Sequence, residues 1–145
     1  MRSRLVSRAG AVALLATSLL ATPVGAAASV SKFCKTRPHP GIDWHGCDVH
    51  NREVIGARLN GANLVRTNFS NSDVTYTNFS RANMTRAQLK GADLSHAILG
   101  HTNLTSVNAT AATMKLTNLI SANLTRVNLT NAYLEIGRAS CRERV

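Results

Sequence analysis

The sequence predicts a repeat solenoid in which the chain turns a corner every five residues. Three observations support this prediction: a large apolar residue returns at every fifth position, a small residue stands two positions before it, and Asn or Asp is common between them. The segment SANLTRVNLTNAYL, at 121–134, shows the pattern clearly. A helix keeps one face by repeating at three, four and seven residues, and a half-buried strand repeats at two. A period of five fits neither, so the chain must turn between one large residue and the next.

The repeat runs without insertion from Trp44 to Leu134. Of its 19 large positions, here called centres, only Ala109 is small, and 13 of the 19 positions directly before a centre are Asn or Asp. Repetition of this extent is the signature of a solenoid. The predicted core centres include Leu59, Leu64, Phe69, Phe79, Leu89, Leu94, Leu99, Leu104, Leu119, Leu124 and Leu129.

The pentapeptides GANLV, RANMT, GADLS and SANLT match the motif A-(D/N)-L-x-x, so residues 42–136 resemble the pentapeptide-repeat family. The resemblance implies an all-β fold, a right-handed quadrilateral β-helix in which each pentapeptide forms one side and four sides complete a coil. Nineteen pentapeptides would then make about 4.75 coils. The centres would point inward, and Asn and Asp suit the turns because their side chains bond nearby backbone. Residues 20 apart would stack, with coils about 4.8 Å apart.

The segment before the repeat is predicted to cap the first coil. An open β-helix exposes a backbone edge and an apolar core at its end, and residues 29–41 can fold over both with the help of Trp44. A disulfide between Cys34 and Cys47 is predicted to hold this cap, and a loop of that size contributes about 3 kcal/mol. Two unpaired thiols, one of them packed inside, remain the alternative. Arg52 occupies a small inward position and is expected to distort its coil.

Residues 1–28 are predicted to be a secretory signal peptide. Three arginines precede the apolar run AGAVALLATSLLA, and small residues then offer cleavage between Ala28 and Ser29. Because the run is short for a bilayer span, cleavage is favoured over a membrane anchor, and no membrane span would remain. We therefore expect a secreted or cell-envelope protein, where disulfides persist.

The last residues, 137–145, lack the repeat pattern and resemble a vector or adapter read-through, so they are left out of the fold prediction. The repeat would then end on an uncovered coil. An open coil of this kind invites association, and an end-to-end homodimer is one expected outcome.

The formal net charge of +10 is concentrated at the two ends of the chain. Residues 42–136 carry eight Lys or Arg against six Asp or Glu, so the body is nearly neutral and nucleic-acid binding is not favoured. Within the body, Arg66, Arg86 and Arg126 fall 20 or 40 residues apart, and Arg81 lies on the next side around. These four arginines are the candidate partner-binding residues, for an anionic envelope polymer or an unknown protein. The alternative is that exposed turn arginines serve solubility alone.

No catalytic, cofactor or metal site is predicted. The chain has no Gly-rich phosphate loop, nucleophile elbow, paired catalytic carboxylates or Cys/His spacing typical of zinc. We expect a non-enzymatic binding or structural module at the cell envelope or outside the cell. The family resemblance implies one alternative, DNA gyrase binding by an acidic rod that resembles DNA, although this body is not acidic. A remoter alternative is ice binding by stacked threonines, Thr85, Thr105 and Thr125.

Overall fold

The computed structural model describes residues 32–135. The predicted signal peptide with its cleavage site and the predicted tail at 137–145 lie outside these residues. The described part begins with a 3₁₀ helix, Lys32–Lys35, and contains two short strands, β1 at Thr113–Lys115 and β2 at Tyr133–Glu135. No helix of this part is long and apolar enough to cross a membrane.

Parallel backbone bridges join residues that are 20 positions apart. They recur at every fifth residue, from Asp43 paired with Asn63 to Asn108 paired with Asn128, and β1 pairs with β2 in the same register. Each rung is held by ordinary backbone hydrogen bonds; for example, the Trp44 N–H donates to the Asn63 carbonyl at 2.8 Å. The chain is therefore a β-helix with a 20-residue register. Residues 20 apart lie above one another, and we call such a series a column.

The centres form a continuous apolar core. From Leu59 to Leu104 the predicted core centres are buried, as are the intervening Val74 and Met84. Phe69 contacts Phe79 edge to face, with ring centroids 5.9 Å apart, and a tilted Trp44 ring at 6.4 Å. These contacts, and the burial of the centres from Trp44 to Met114, confirm that a period of five directs these side chains inward.

The last described coil departs from this prediction. Leu119 and Leu129 are only half-buried, and Leu124 is 40% exposed. The prediction that Leu124 is a core residue is therefore wrong for residues 32–135. The physical reason is that no later coil among these residues stacks on it, so one surface of its side chain faces solvent.

Some of the small inward positions are occupied by Ser or Thr instead of Ala. Each buried Ser or Thr there donates its hydroxyl to the backbone carbonyl 23 residues earlier, at 2.6–2.9 Å. The donors are Thr67, Ser72, Thr77, Thr102 and Thr117. Because each buried hydroxyl is paired, it adds a cross-coil bond instead of an unsatisfied polar group.

Arg52 disturbs one turn and leaves the register intact. Its N–H donates to Ser72 Oγ at 3.4 Å, whereas neighbouring inward residues donate to the centre carbonyl three residues earlier. The Arg52 carbonyl still accepts from the Asp73 N–H at 2.9 Å. The Arg52 side chain is exposed, so the expected distortion is confined to that turn.

A disulfide joins Cys34 to Cys47, with Cα atoms 5.5 Å apart, which confirms the predicted pair. Cys47 is fully buried, and Trp44 Nε1 donates to Thr36 Oγ1 at 3.4 Å. The segment before the repeat is thus tied to the first coil by the disulfide and by hydrogen bonds, which include one from the Gly41 N–H to the Asn60 carbonyl at 2.9 Å.

Candidate partner-binding surface

Every turn of the β-helix places one residue in the left-handed backbone region. In the turn 79–82 the Ala82 N–H donates to the Phe79 carbonyl at 2.9 Å, and Arg81 has φ of 59°. This is a type II turn, whose third residue requires positive φ and therefore favours glycine. An L-residue there costs roughly 1–2 kcal/mol, so the coil pairing must hold it in place. The side chain of this third turn residue lies at the outer edge of the turn and faces solvent.

All four candidate arginines occupy this third turn position. Arg66, Arg81, Arg86 and Arg126 have φ between 57° and 59°, and all four are exposed. Arg66, Arg86 and Arg126 share a column, which we call the arginine column; Ser106 interrupts it. Within residues 32–135 no carboxylate forms an ion pair with any of the four. Their charge is therefore available to an anionic partner.

Arg81 belongs to the turn column that precedes the arginine column along the chain, on the other side of the outward residue Asn83. The segment from Arg81 to Arg86 reads RANMTR, so one outward residue, Asn83, lies between two turn arginines. The structure thus brings Arg81 close to the arginine column along the chain, although the two are on different columns.

A second basic feature was missed by sequence reasoning. Arg58 and Arg81 line an open depression of about 700 Å³, together with Pro40, Asn78 and Ser80. Arg58 stands directly before a centre, where most coils carry Asn or Asp, and this departure from the motif is the signal that could have identified it.

Three of the six Asp and Glu residues at 42–136 lie in a different column, whereas Asp43 and Asp48 begin the two outward columns beside the arginine column. Glu53 pairs with Asp73, and Asp73 pairs with Asp93, in successive coils. Beside them, the Tyr76 and His96 rings stack in parallel with centroids 4.7 Å apart. The carboxylates of Glu53, Asp73 and Asp93 are therefore in a different column from the turn arginines.

Asp48 and His50 form a separate exposed pair. His50 Nδ1 lies 2.6 Å from Asp48 Oδ1, and the His50 side chain is the main cause that holds the pKa of the Asp48 carboxyl below its ordinary value. Both side chains are about half exposed, so solvent screens the interaction. Among residues 32–135 no group of three His, Cys, Asp or Glu side chains is arranged to hold a metal ion.

The stacked threonines do not present free hydroxyl donors. The hydroxyls of Thr85, Thr105 and Thr125 each donate to Oδ1 of the Asn two residues earlier, at 2.6–2.7 Å. Sequence reasoning placed these threonines in one column but did not identify their partners, because Asn-x-Thr spacing also suits other turns.

Comparison with solved structures supports the fold. The chain is similar to HetL, a pentapeptide repeat protein involved in heterocyst differentiation regulation from the cyanobacterium Nostoc sp. strain PCC 7120, with 24% identity and a TM-score of 0.64. That alignment covers 67% of this chain but only 46% of HetL. The shared fold is a right-handed β-helix.

Two further matches are weaker. A pentapeptide repeat protein from the Arabidopsis thaliana thylakoid lumen is 28% identical, covering 63% of this chain and 68% of that one, with a TM-score of 0.41. QnrB1, a plasmid-mediated fluoroquinolone resistance protein, is 15% identical over 64% of this chain and 53% of that one, with a TM-score of 0.36. No curated protein matches the chain.

The sequence profile described as pentapeptide repeats (8 copies) matches four overlapping segments, 54–86, 62–100, 87–126 and 97–135. Together these segments span 54–135, which is more than half of the 145 residues. The chain therefore belongs to the pentapeptide-repeat family.

Proposed function

We propose that the protein is an exported, non-enzymatic solenoid that acts as a binding or structural module at the cell envelope or outside the cell. One observation carries the proposal: the arginine column is exposed on the β-helix, and no carboxylate in the described part of the chain pairs with it. Such a column suits an anionic envelope polymer, since multiple spaced cations attract a polyanion without a deep pocket.

The rod itself is proposed to be four-sided, with about 4.75 coils. A residue with positive φ at every fifth position and a 20-residue register support four turns per coil. Each side would then present one outward column between two turn columns.

Export is proposed from residues 1–28 and supported by the disulfide. A Cys34–Cys47 bond persists in oxidising compartments and is rare in a reducing cytosol. We expect the full chain, expressed in a bacterial host, to leave the cytoplasm and to begin at Ser29 when its N-terminus is determined by mass spectrometry. A cytoplasmic protein that keeps residues 1–28 would contradict export.

Binding is tested by retention of the purified protein on isolated cell-wall material. We expect retention to fall with salt, and to fall about tenfold in an Arg66→Ala/Arg86→Ala/Arg126→Ala variant, because three exposed charges at 0.2–1 kcal/mol each are removed. The matched control is Arg52→Ala/Lys90→Ala/Lys115→Ala, which loses the same charge from other columns. Equal loss in both variants would show that total charge, and not the arginine column, determines retention.

The gyrase-binding alternative has less support. A rod that resembles DNA needs an acidic surface. Here only three of the six acids of the body form a column, and the turn arginines have no carboxylate partner within residues 32–135. Inhibition of gyrase supercoiling by the purified protein, with no retention on wall material, would favour that alternative instead.

A further inference from the structure

The outward asparagines next to the arginine column have their amides oriented by hydrogen bonds. Asn63, Asn83, Asn103 and Asn123 are successive residues of a column that begins at Asp43, and we call these four residues the asparagine column. In each, Oδ1 accepts the backbone N–H of the residue two positions later, at 3.0–3.4 Å. Only the oxygen of an amide can accept from an N–H, so the orientation is determined and Nδ2 points away from that turn.

The amide donors of this column are largely unused. Within residues 32–135, Nδ2 of Asn63, Asn83 and Asn103 has no hydrogen-bond acceptor, and Asn123 Nδ2 donates to Thr105 Oγ1 at 3.2 Å. The following outward column differs. There Asn68 Nδ2 donates to Asp48 Oδ1 at 3.0 Å, and Asn108 Nδ2 donates to Gln88 Oε1 at 3.2 Å. Asn68 and Asn108 therefore use an amide hydrogen within their own column.

The outward column that precedes the asparagine column is interrupted. Asn78 and Asn118 are separated by Ile98, which is 39% exposed, so no continuous row of amides forms there. The asparagine column is therefore the one among these three that presents unpaired N–H donors in three successive coils, at a spacing of about 4.8 Å.

These donors lie among the candidate arginines. Asn63 precedes Arg66, Asn83 lies between Arg81 and Arg86, and Asn123 precedes Arg126. The adjacent threonine hydroxyls donate their hydrogens to Asn Oδ1, and their oxygen atoms can still accept a hydrogen bond. The surface thus offers cationic donors, neutral donors and a few hydroxyl acceptors, with no carboxylate from Asn63 to Asn123 in the column.

We infer that the asparagine column and its flanking arginines bind a linear acidic polysaccharide that runs along the β-helix. The inference rests on the proposed function and adds the ligand class. Carboxylates of such a polymer would pair with the arginine guanidinium groups, which match carboxylate geometry. Its hydroxyl groups would accept from Asn Nδ2 and also donate to Thr Oγ1. A polyphosphate chain could accept from Asn Nδ2 but could not donate to Thr Oγ1, because it has acceptors alone.

The test replaces two amide side chains by carboxylates of the same shape, so that a hydrogen-bond donor becomes an acceptor at each position. The variant Asn83→Asp/Asn103→Asp keeps Oδ1 for the turn and replaces Nδ2 by a carboxylate oxygen. The chain already tolerates this residue: Asp93 Oδ1 accepts the Ser95 N–H at 2.9 Å and the Ser95 hydroxyl at 2.6 Å. The new carboxylates would repel a polyanion and neutralise the flanking arginines.

The matched control is Asn108→Asp/Asn128→Asp in the following column. It adds the same two charges, and both Oδ1 atoms there accept from a threonine N–H in the same way. Binding of fluorescent polygalacturonate to the full chain gives Kd for the parent and both variants, and thermal unfolding checks that each variant folds. Linear polyphosphate of similar charge is measured in parallel.

We expect Kd for polygalacturonate to rise about tenfold or more in Asn83→Asp/Asn103→Asp, because two neutral hydrogen bonds are lost and two carboxylates that repel the polyanion are introduced, and clearly less in the control. Polyphosphate should bind more weakly than polygalacturonate. Equal effects of the two variants, or tighter binding of polyphosphate, would overturn the inference. Wall retention that depends on the arginine column while polygalacturonate does not bind would leave the proposed function standing and remove this ligand class alone.

Discussion

Replacing Phe69 by alanine is expected to lower the free energy of unfolding by about 3–5 kcal/mol, the cost usual for a large buried aromatic side chain. Phe69 is fully buried, and its ring contacts both Trp44 and Phe79. The variant therefore loses apolar burial and leaves a cavity between coils that cannot close without shifting the backbone ladder. Denaturant unfolding followed by circular dichroism measures the change.

The matched control is Leu124→Ala, a substitution at an equivalent centre in the last described coil. Because Leu124 is already 40% exposed, we expect a loss of roughly 1 kcal/mol or less. If Phe69→Ala and Leu124→Ala destabilised the protein equally, the stacking of later coils would not be what buries the centres.

Removal of the disulfide is expected to have the second largest effect. Cys34 is the half-buried partner, so Cys34→Ala breaks the bond while leaving the fully buried Cys47 side chain in place. We expect the free energy of unfolding to fall by about 3 kcal/mol, because a bond across 13 residues restricts the unfolded chain. Thermal and denaturant unfolding, in a background with Cys141→Ser to prevent thiol exchange, measure the loss.

The reduced parent protein is the natural comparison for this variant. It should unfold at the same denaturant concentration as Cys34→Ala, since both lack the cross-link and keep the Cys47 side chain. Unchanged stability after reduction would mean that the first coil is held by its backbone ladder and core alone.

The turns illustrate why part of the candidate site could be predicted. A column of arginines at 66, 86 and 126 follows directly from a period of five and a register of 20. Their exposure follows as well, because the third residue of a type II turn has its side chain outside. Arg58 could not be recognised in this way, since its depression is formed with residues from a later coil and from the segment before the repeat.

The sequence by itself determined the period and predicted the inward direction of the centres and the Cys34–Cys47 pair, because each depends on spacing along one chain. The structure decided between that pair and two unpaired thiols. Only the tertiary structure decided which outward groups remain available. Asn83 and Asn108 occupy the same repeat position, yet Asn108 Nδ2 has Gln88 as a partner and Asn83 Nδ2 has no acceptor within residues 32–135. The difference arises 20 residues away, where the neighbouring coil either offers or lacks an acceptor. Burial also depends on the neighbouring coils. Leu64 and Leu124 share a column, but Leu64 is buried between two coils, whereas Leu124 lies in the last described coil and is 40% exposed.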